Sequence, residues 1–225
     1  MTGLVRGEPV APVESGGELH REITGRDVLL RRPVPEVDTP LLFAATHGSP
    51  EREAVWAYMG YGPWTDEESM RTWVSGTLPS RDPFWWVIEA AGIPVGMATV
   101  MNRDDTHRRA EVGHIWYTPS AQRTTVNTEA AYLMIRECFD MLGCRRVEWK
   151  CDALNERSRV AAVRLGFVFE GVFRHHMIVK GRNRDTAWYA MTEDDWKAAR
   201  LRLERWLYEI PRTAGRPEKS LTDLR

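Results

Sequence analysis

Residues 116–127 combine a strand, a polar loop and a helix start, which is an arrangement that favours anion binding. Aromatic and β-branched residues run up to Pro119, where a strand must end, and an amphipathic helical pattern follows over residues 128–142. Such a junction directs unpaired backbone N–H groups and the positive end of a helix dipole towards one point. A phosphate or pyrophosphate on a larger carrier fits that point, although many helices follow strands without binding a ligand.

The sequence after this junction repeats the pattern of strand and helix. Residues 145–151 alternate apolar and charged side chains, as a half-buried strand does, and a helical stretch follows Asn155. Three motifs keep a fixed order: Pro-x-x-Gln-Arg-x-x-x-Asn-Thr-Glu-Ala over residues 119–130, Asn155-x-x-Ser158, and Leu-Gly-Phe-x-x-Glu-Gly over residues 165–171. Together they resemble the acetyl-CoA-binding core of the GNAT (GCN5-related) N-acetyltransferases, in particular the branch with ribosomal-protein and small-amine acetyltransferases. The resemblance covers about residues 27–192.

The resemblance implies a fold and a coenzyme site. The fold is a single-domain α/β (α+β) structure whose central mixed sheet splits like a V around the pantetheine arm of acetyl-CoA and is flanked by helices. The implied coenzyme-binding residues are Ile115, Trp116, Tyr117, Gln122, Arg123, Thr124, Thr125, Val126, Asn127, Thr128, Asn155 and Ser158.

The pyrophosphate loop departs from the family pattern at two positions. Where the family carries glycines, this chain has Arg123 and Thr125. Glycine allows a backbone to approach a phosphate closely and to adopt unusual dihedral angles. We expect Arg123 to supply a charged fork to the phosphate instead, with hydroxyls from Thr124 and Thr125.

Transfer of an acetyl group from a thioester to an amine requires a base for the amine proton and an acid for the departing thiolate. Related enzymes often carry a carboxylate base on the strand that leads to the coenzyme loop, and Glu111 occupies that strand here, after Asp104 and Asp105 in the preceding turn. We therefore predict that Glu111 is the base. The alternative is that Glu111 pairs with a neighbouring arginine.

The acid is predicted from the helical stretch that follows Asn155. Many relatives carry a tyrosine there, but the corresponding residue is Ala162. Ser158 matches the serine that the ribosomal-protein branch offers near the thioester sulfur, and a hydroxyl can protonate a thiolate or relay a proton. The alternative is that Ser158 satisfies backbone N–H groups at a helix start, with Asn155 as the N-cap.

Histidines and cysteines do not predict a metal site. His114, His175 and His176 lack partners at ligand spacing, so we expect no metal. His114 has the period of a core or sheet-face residue, and one of His175 and His176 should point inward, where it can touch substrate. The three cysteines have no Cys-x-x-Cys spacing and are expected to be small core residues, which fits a reducing compartment: Cys138, Cys144 and Cys151.

Composition limits the other possibilities. The chain has 225 residues, of which 43% are hydrophobic, so it can bury one full core. The net charge of −1 makes nucleic acid an unlikely principal partner, although residues 145–146 and 180–184 are locally basic. No apolar run is long enough to span a membrane and residues 1–26 do not resemble a signal peptide, so we expect a cytoplasmic protein.

The expected organisation is an N-terminal arm or extended segment (1–26), a GNAT-like acetyltransferase domain (27–192) and a C-terminal helical extension with a polar, loose tail (193–225).

Thr65 and Glu68 have the spacing of a capping box before a helix. Five aromatic residues precede or begin that helix and are expected to be mostly core, with a few lining an acceptor cleft: Trp56, Tyr58, Tyr61, Trp64 and Trp73.

The function predicted from these features is acetyl transfer from acetyl-CoA to a primary amine, by direct attack in a ternary complex without a covalent enzyme intermediate. The expected acceptor is a small-molecule amine or a protein N-terminus, and a homodimer is one expected assembly. One alternative is a non-catalytic sensor or assembly subunit that binds acetyl-CoA. Another is an RNA-linked module that uses the basic turn at residues 180–184, whose binding would depend strongly on salt.

Overall fold

The computed structural model describes residues 7–11 and 16–224. Its main feature is an eight-stranded mixed sheet in the order β1-β2-β3-β4-β5-β6-β8-β7, and a two-stranded hairpin, β9-β10, lies near the C-terminus. The strands are β1 Glu22–Thr24, β2 Leu29–Arg31, β3 Phe84–Ala90, β4 Ile93–Asp104, β5 Arg109–Tyr117, β6 Arg146–Asp152, β7 Val168–Val179, β8 Arg182–Thr192, β9 Arg212–Thr213 and β10 Arg216–Pro217. The helices are α1 Pro35–Thr46, α2 Pro50–Glu53, α3 Glu67–Thr77, α4 Thr125–Arg136, α5 Glu156–Leu165 and α6 Glu193–Glu204.

The sheet splits between β5 and β6, as the V-shaped fold class predicts. These two strands are parallel and pair at only three positions, Arg109–Arg146, Ala110–Val147 and Glu111–Glu148. Because β5 continues to Tyr117 and β6 to Asp152, the remaining lengths of both strands diverge. The gap between them leaves backbone groups of β5 free for a ligand.

Each face of the sheet packs against its own hydrophobic core, because neighbouring residues of a strand point to opposite faces. Trp86 and Ile88 of β3 join a large core with α4 and α6. Trp85 and Val87 join a smaller core with α1 and α3. We call the side of the smaller core the α1–α3 face.

Two helix starts differ from the sequence prediction. Helix α3 is capped by Asp66, whose carboxylate accepts from the Ser69 N–H at 2.8 Å, so the capping box at Thr65 is wrong by one residue. Helix α4 begins at Thr125 rather than at residue 128, with Thr124 as its N-cap. A complete capping box occurs instead between Thr192 and Asp195, at the start of α6.

Both ends of the chain contribute to the packed structure. Ile23 of β1 is buried within the stretch predicted as an arm or extended segment. The C-terminal tail is not loose as expected, because Leu221 and Leu224 are buried in the large core and Trp206 donates its indole N–H to the Lys219 carbonyl. Among residues 7–11 and 16–224, no helix is long and apolar enough to cross a membrane.

Candidate active site

The divergence of β5 from β6 coincides with a β-bulge in β5. Met97 of β4 pairs with Trp116, whereas Thr99 pairs with Gly113, so β5 has one extra residue in this interval. His114 lies in the bulge at φ 50°. A bulge of this kind bends a strand and re-aims its side chains. It therefore turns β5 away from β6 where the split begins.

The loop before α4 has the backbone geometry of an anion site. Arg123 adopts φ 60°, a left-handed conformation that favours glycine. The loop therefore takes a glycine-like backbone shape at one of the two positions where the family pattern has glycine and this chain does not. Thr124 closes the turn, since its hydroxyl accepts from the Val126 N–H and donates to the Ala121 carbonyl at 2.7 Å. The N–H groups of the first turn of α4 and the exposed Arg123 side chain are thus close in sequence and space.

Several side chains in the predicted coenzyme set hold this loop together. Gln122 donates to the Tyr117 carbonyl at 3.2 Å, and the Thr125 hydroxyl donates to Asp27 at 3.3 Å. The Thr128 hydroxyl is fully buried and accepts from Arg164 at 2.6 Å. Their hydroxyls and amide are therefore already engaged in structural hydrogen bonds.

The other members of the set lie along the split. Ile115 is half-buried, Trp116 and Tyr117 are buried on opposite sides of the sheet, and Val126, in the first turn of α4, is buried in the large core. The Asn127 side-chain oxygen is buried and has no hydrogen-bond partner within the described part of the chain. A buried amide oxygen without a partner is a free acceptor at the start of α4.

Glu111, the predicted base, is buried at the closed end of the split. Its side chain accepts from Lys150 at 2.6 Å and from the Asn102 amide at 2.7 Å. Burial raises the pKa of Glu111, while Lys150 and Asn102 oppose that rise without cancelling it. The alternative, in which Glu111 pairs with a neighbouring arginine, is wrong in the identity of the partner, because the cation is Lys150, which lies two residues beyond Glu148 on β6.

Ser158 and Asn155 lie at the start of α5, beside the split. Asn155 is the N-cap, and its side chain accepts from the Ser158 N–H at 3.2 Å. The Ser158 hydroxyl accepts from the Trp149 indole N–H at 3.0 Å, so its own proton remains available for donation. The N-cap role of Asn155 is established, and it leaves the Ser158 hydroxyl free for a second role.

On the α1–α3 face, His114 packs against aromatic side chains. The His114 ring lies 5.0 Å from Trp85 and 5.5 Å from Tyr61, measured between ring centroids. Burial, Arg184 and Lys150 all lower the pKa of His114, which keeps the imidazole neutral at pH 7. Trp56 is fully buried, as expected of a core aromatic, while Tyr58 is exposed and donates to the Leu154 carbonyl at 3.2 Å.

The hairpin of β7 and β8 carries a second group of histidine and aromatic side chains. His176 meets Trp188 at 6.0 Å between ring centroids and makes a 2.9 Å hydrogen bond with Thr186. The backbone N–H of His175 donates to Asp185 at 2.8 Å. Both histidines are exposed, and His176 is the one of the two whose ring contacts side chains of β8.

A polar cleft of about 540 Å³ lies at the closed end of the split. Lys150 and Asn102, the two partners of Glu111, both line it. Carboxylates outnumber cations among its lining residues, and Glu111 lies directly behind them, which favours a positively charged approaching group. The full lining comprises Asp82, Asn102, Arg103, Asp104, Asp105, Arg109, Glu148, Lys150 and Trp188.

The cysteines are not placed as nucleophiles. Burial raises the pKa of all three thiols above the ordinary value, so each remains protonated at pH 7. Within the described residues, no three His, Cys, Asp or Glu side chains are grouped around a possible metal position. The sequence missed Lys150, Asn102 and the bulge at His114, since strand register and bulges are not visible as motifs.

Comparison with known proteins gives one matching family model and three similar proteins. A family model described as an acetyltransferase (GNAT) domain matches residues 27–168. The chain is 30% identical over 102 residues to the Bacillus subtilis protein YdaF, whose name describes a ribosomal N-acetyltransferase; the match covers 45% of this chain and 55% of that relative, so the chain spans about half of its length. The crystal structure of a GCN5-related N-acetyltransferase from Brucella melitensis is 32% identical and superposes with a TM-score of 0.85 over 94% of this chain and 99% of that one.

The third similar protein supports the fold alone. Mycobacterium smegmatis RimJ, in complex with CoA-disulfide, is 24% identical and has a TM-score of 0.65 over 76% of this chain and 88% of that one.

Proposed function

The chain belongs to the GNAT acetyltransferase family, and from this premise we propose that it transfers an acetyl group from acetyl-CoA to a primary amine by direct attack in a ternary complex. The observation that carries the proposal is the split between β5 and β6 after only three paired positions. The glycine-like loop before α4 lies on one side of this split, and the carboxylate of Glu111 lies at its closed end.

The coenzyme's charged end is assigned to the start of α4. The first-turn N–H groups of α4 and the Arg123 guanidinium are the donors for its pyrophosphate. Residues 112–117 of β5, which do not pair with β6, offer free backbone groups to the amides of the pantetheine arm. The complex of RimJ with CoA-disulfide supports the choice of a coenzyme A ligand for this fold.

Glu111 is assigned as the base. An ammonium group cannot attack a thioester, so the acceptor must lose a proton near neutral pH. A carboxylate whose pKa is raised by burial is a stronger base than an ordinary glutamate, and Asn102 and Lys150 hold its orientation. The lining of the adjacent cleft, with its excess of carboxylates, favours the approach of an amine that is still protonated.

Ser158 is assigned as the proton donor to the leaving thiolate. Its hydroxyl oxygen accepts from the Trp149 indole N–H, so the hydroxyl proton is not used in that hydrogen bond. Ala162 has no hydroxyl, so the tyrosine that many relatives use is not available here. The three buried cysteines have raised pKa values and do not form part of this assignment.

A protein N-terminus is the first acceptor class to test. The name of the Bacillus subtilis relative refers to ribosomal N-acetylation, which supports a protein acceptor. Small-molecule amines form the second class. Both classes present a primary amine, so the proposed chemistry is the same for each.

The experiment is an acceptor screen that records thiol release from acetyl-CoA. Peptides with free N-termini are compared with the same peptides blocked at the N-terminus, and a panel of small amines is run in parallel. Thiol release that requires a free amine supports the proposal. Coenzyme binding without thiol release in the whole panel would instead favour the non-catalytic sensor.

A further inference from the structure

The basic turn between β7 and β8, residues 180–184, carries three cations that differ in their surroundings. Lys180 donates to the Trp56 carbonyl at 2.9 Å, which brings the turn onto the α1–α3 side of the sheet. Arg182 is exposed. Arg184 is half-buried, and within the described residues its Nε is buried without a hydrogen-bond partner and no carboxylate pairs with it. A buried donor without a partner is costly unless a ligand or water satisfies it.

The side chain of Arg184 lies on the same face of the sheet as the predicted base. Successive side chains of a strand alternate between faces, and Tyr189 of β8 lies in the large core. Arg184 and Trp188 therefore lie on the other face. The Trp188 ring centre is 4.5 Å from the Lys150 ammonium, which in turn holds the Glu111 carboxylate.

The guanidinium of Arg184 is close to both strands of the split. Its charge lowers the pKa of His114 on β5, and it opposes the burial that raises the pKa of the Cys151 thiol on β6. Charges have such effects on groups near them. Because β5 and β6 pair only as far as Glu111 and Glu148, both affected groups lie in the open part of the split. Arg184 thus lies beside the open part, whereas Glu111 lies at the closed end.

The charges along this side of the split are opposite at its two ends. Glu111 provides a carboxylate at the closed end, Arg184 provides a cation beside the open part, and the imidazole of His114 is neutral at pH 7. An acceptor whose amine approaches Glu111 has its other end near Arg184. We propose that Arg184 binds a carboxylate of the acceptor, so that the preferred acceptors are primary amines that also carry a carboxylate. This inference rests on the proposed acetyl transfer and names the class of its acceptor.

The local charge favours a carboxylate over a phosphate. A guanidinium presents a planar fork of donors that fits either group. However, Lys150 is already paired with Glu111, and His114 is neutral, so Arg184 is the cation that remains for a ligand here. One cation balances one carboxylate, whereas a phosphate monoester would bring nearly two negative charges into a half-buried site. The carboxylate can come from an acidic side chain at a peptide N-terminus or from a free amino acid.

The test compares acceptors that differ in one carboxylate. The first pair is a peptide with an N-terminal aspartate and the same peptide with an N-terminal asparagine; the second is a free amino acid and its amide. Thiol release is measured for each and corrected for the fraction of neutral amine. In at least one pair, kcat/KM of the wild type should favour the carboxylate by about tenfold or more, as expected for a hydrogen bond between charged groups. The pair that shows the preference identifies the source of the carboxylate.

Arg184→Gln removes the charge and keeps a polar side chain. It should abolish the preference by lowering kcat/KM for the carboxylate acceptor, while the amide acceptor and the acetyl-CoA dissociation constant change by no more than a few-fold. Arg182→Gln is the matched control, because it removes the same charge from an exposed position on the same strand and should keep the preference. Equal loss in both variants, or weakened acetyl-CoA binding in Arg184→Gln alone, would overturn the assignment.

Calorimetric titration of the same acceptors in the presence of CoA gives a readout without catalysis, because CoA carries no acetyl group to transfer. Binding that requires both the carboxylate and Arg184, without thiol release from acetyl-CoA, would retain the carboxylate site and contradict the proposed function. Equal thiol release from both members of each pair, unchanged in Arg184→Gln, would retain the proposed function and refute the carboxylate site.

Discussion

At the residue scale, the environment of Glu111 determines how the protein can take a proton. The residue is only 4% exposed, and burial disfavours the charged form of its carboxylate. Lys150 and Asn102 favour the charged form, but burial has the larger effect, so the pKa of Glu111 stays above its ordinary value. A raised pKa moves the acid limb of the rate profile to higher pH, since the base must be ionised to act.

Glu111→Gln tests the base. The glutamine keeps the shape of the side chain but cannot accept the proton, so the acid limb should flatten and the rate should fall much more at pH 7 than at pH 9, where more of the acceptor is already neutral. The measurement is thiol release against pH. Lys150→Met is the control: loss of the cation raises the pKa of Glu111 further, so the acid limb should move to higher pH and remain present. Parallel profiles for Glu111→Gln and the wild type would make Glu111 structural.

Ser158→Ala tests the acid. Loss of a general acid acts on the transition state, so turnover should fall by roughly 10²-fold while coenzyme affinity stays within a few-fold. The same substitution leaves the buried Trp149 N–H without its acceptor, which lowers stability by about 1–3 kcal/mol. Trp149→Phe removes that donor and keeps the hydroxyl, so it separates the two effects. If both variants lose turnover equally, Ser158 acts through packing and not as an acid.

The sequence nominated Glu111 and Ser158 as candidates and Asn155 as the N-cap, but it did not predict the side chains that hydrogen-bond to the Glu111 carboxylate and the Ser158 hydroxyl. Asn155 could be predicted as an N-cap because capping is local in sequence. Lys150 could not be predicted as the partner of Glu111, because their contact depends on the parallel register of β5 and β6. Such a register results from packing of the whole sheet, and no local motif encodes it.

At the element scale, the loop before α4 has a glycine-like shape without glycine. The sequence predicted this strand, loop and helix in the correct order, but it placed the helix start three residues late. The hydroxyl of Thr124 caps the helix, so the turn closes earlier than the apolar pattern suggests. Arg123, just before this cap, therefore adopts a left-handed backbone conformation.

Arg123→Gly separates backbone shape from side-chain charge. Glycine relieves the left-handed strain, so the melting temperature should rise by roughly 2–4 °C, while loss of the guanidinium should weaken acetyl-CoA binding by about tenfold. Arg123→Ala loses the same charge but keeps the strain, so its affinity should fall equally and its melting temperature should not rise. The measurements are calorimetric titration and thermal melting. Undiminished affinity in both variants would remove Arg123 from the phosphate site.

At the scale of the whole molecule, the order of strands and helices was largely predictable from local patterns, because strand alternation and helical periodicity are properties of short segments. The packing of the C-terminal tail was not predictable, since burial of Leu221 and Leu224 depends on a core built from distant parts of the chain. The split itself was expected only from the family resemblance. The bulge at His114, which follows the last paired position of β5 and β6, is a single inserted residue with no sequence signature.

Acetyl-CoA should stabilise the folded protein as a whole. A ligand at 100 times its dissociation constant adds about 2.7 kcal/mol, which corresponds to roughly 5–10 °C in melting temperature for a chain of this size. Arg123→Glu should reduce this rise, because it sets a like charge against the phosphate. An unchanged melt at saturating coenzyme, with no heat on titration, would contradict the coenzyme site.

The most direct test of acetyl transfer to a primary amine follows both products of one reaction. The wild type is incubated with acetyl-CoA and the best peptide from the screen, and thiol release is recorded while mass spectrometry follows the peptide. We predict one acetyl group on the N-terminal amine for each thiol released, with no acetylated enzyme at any time and no reaction of the N-terminally blocked peptide. Thiol release without acetylated peptide, or an acetyl group retained on the protein, would contradict direct transfer to the amine.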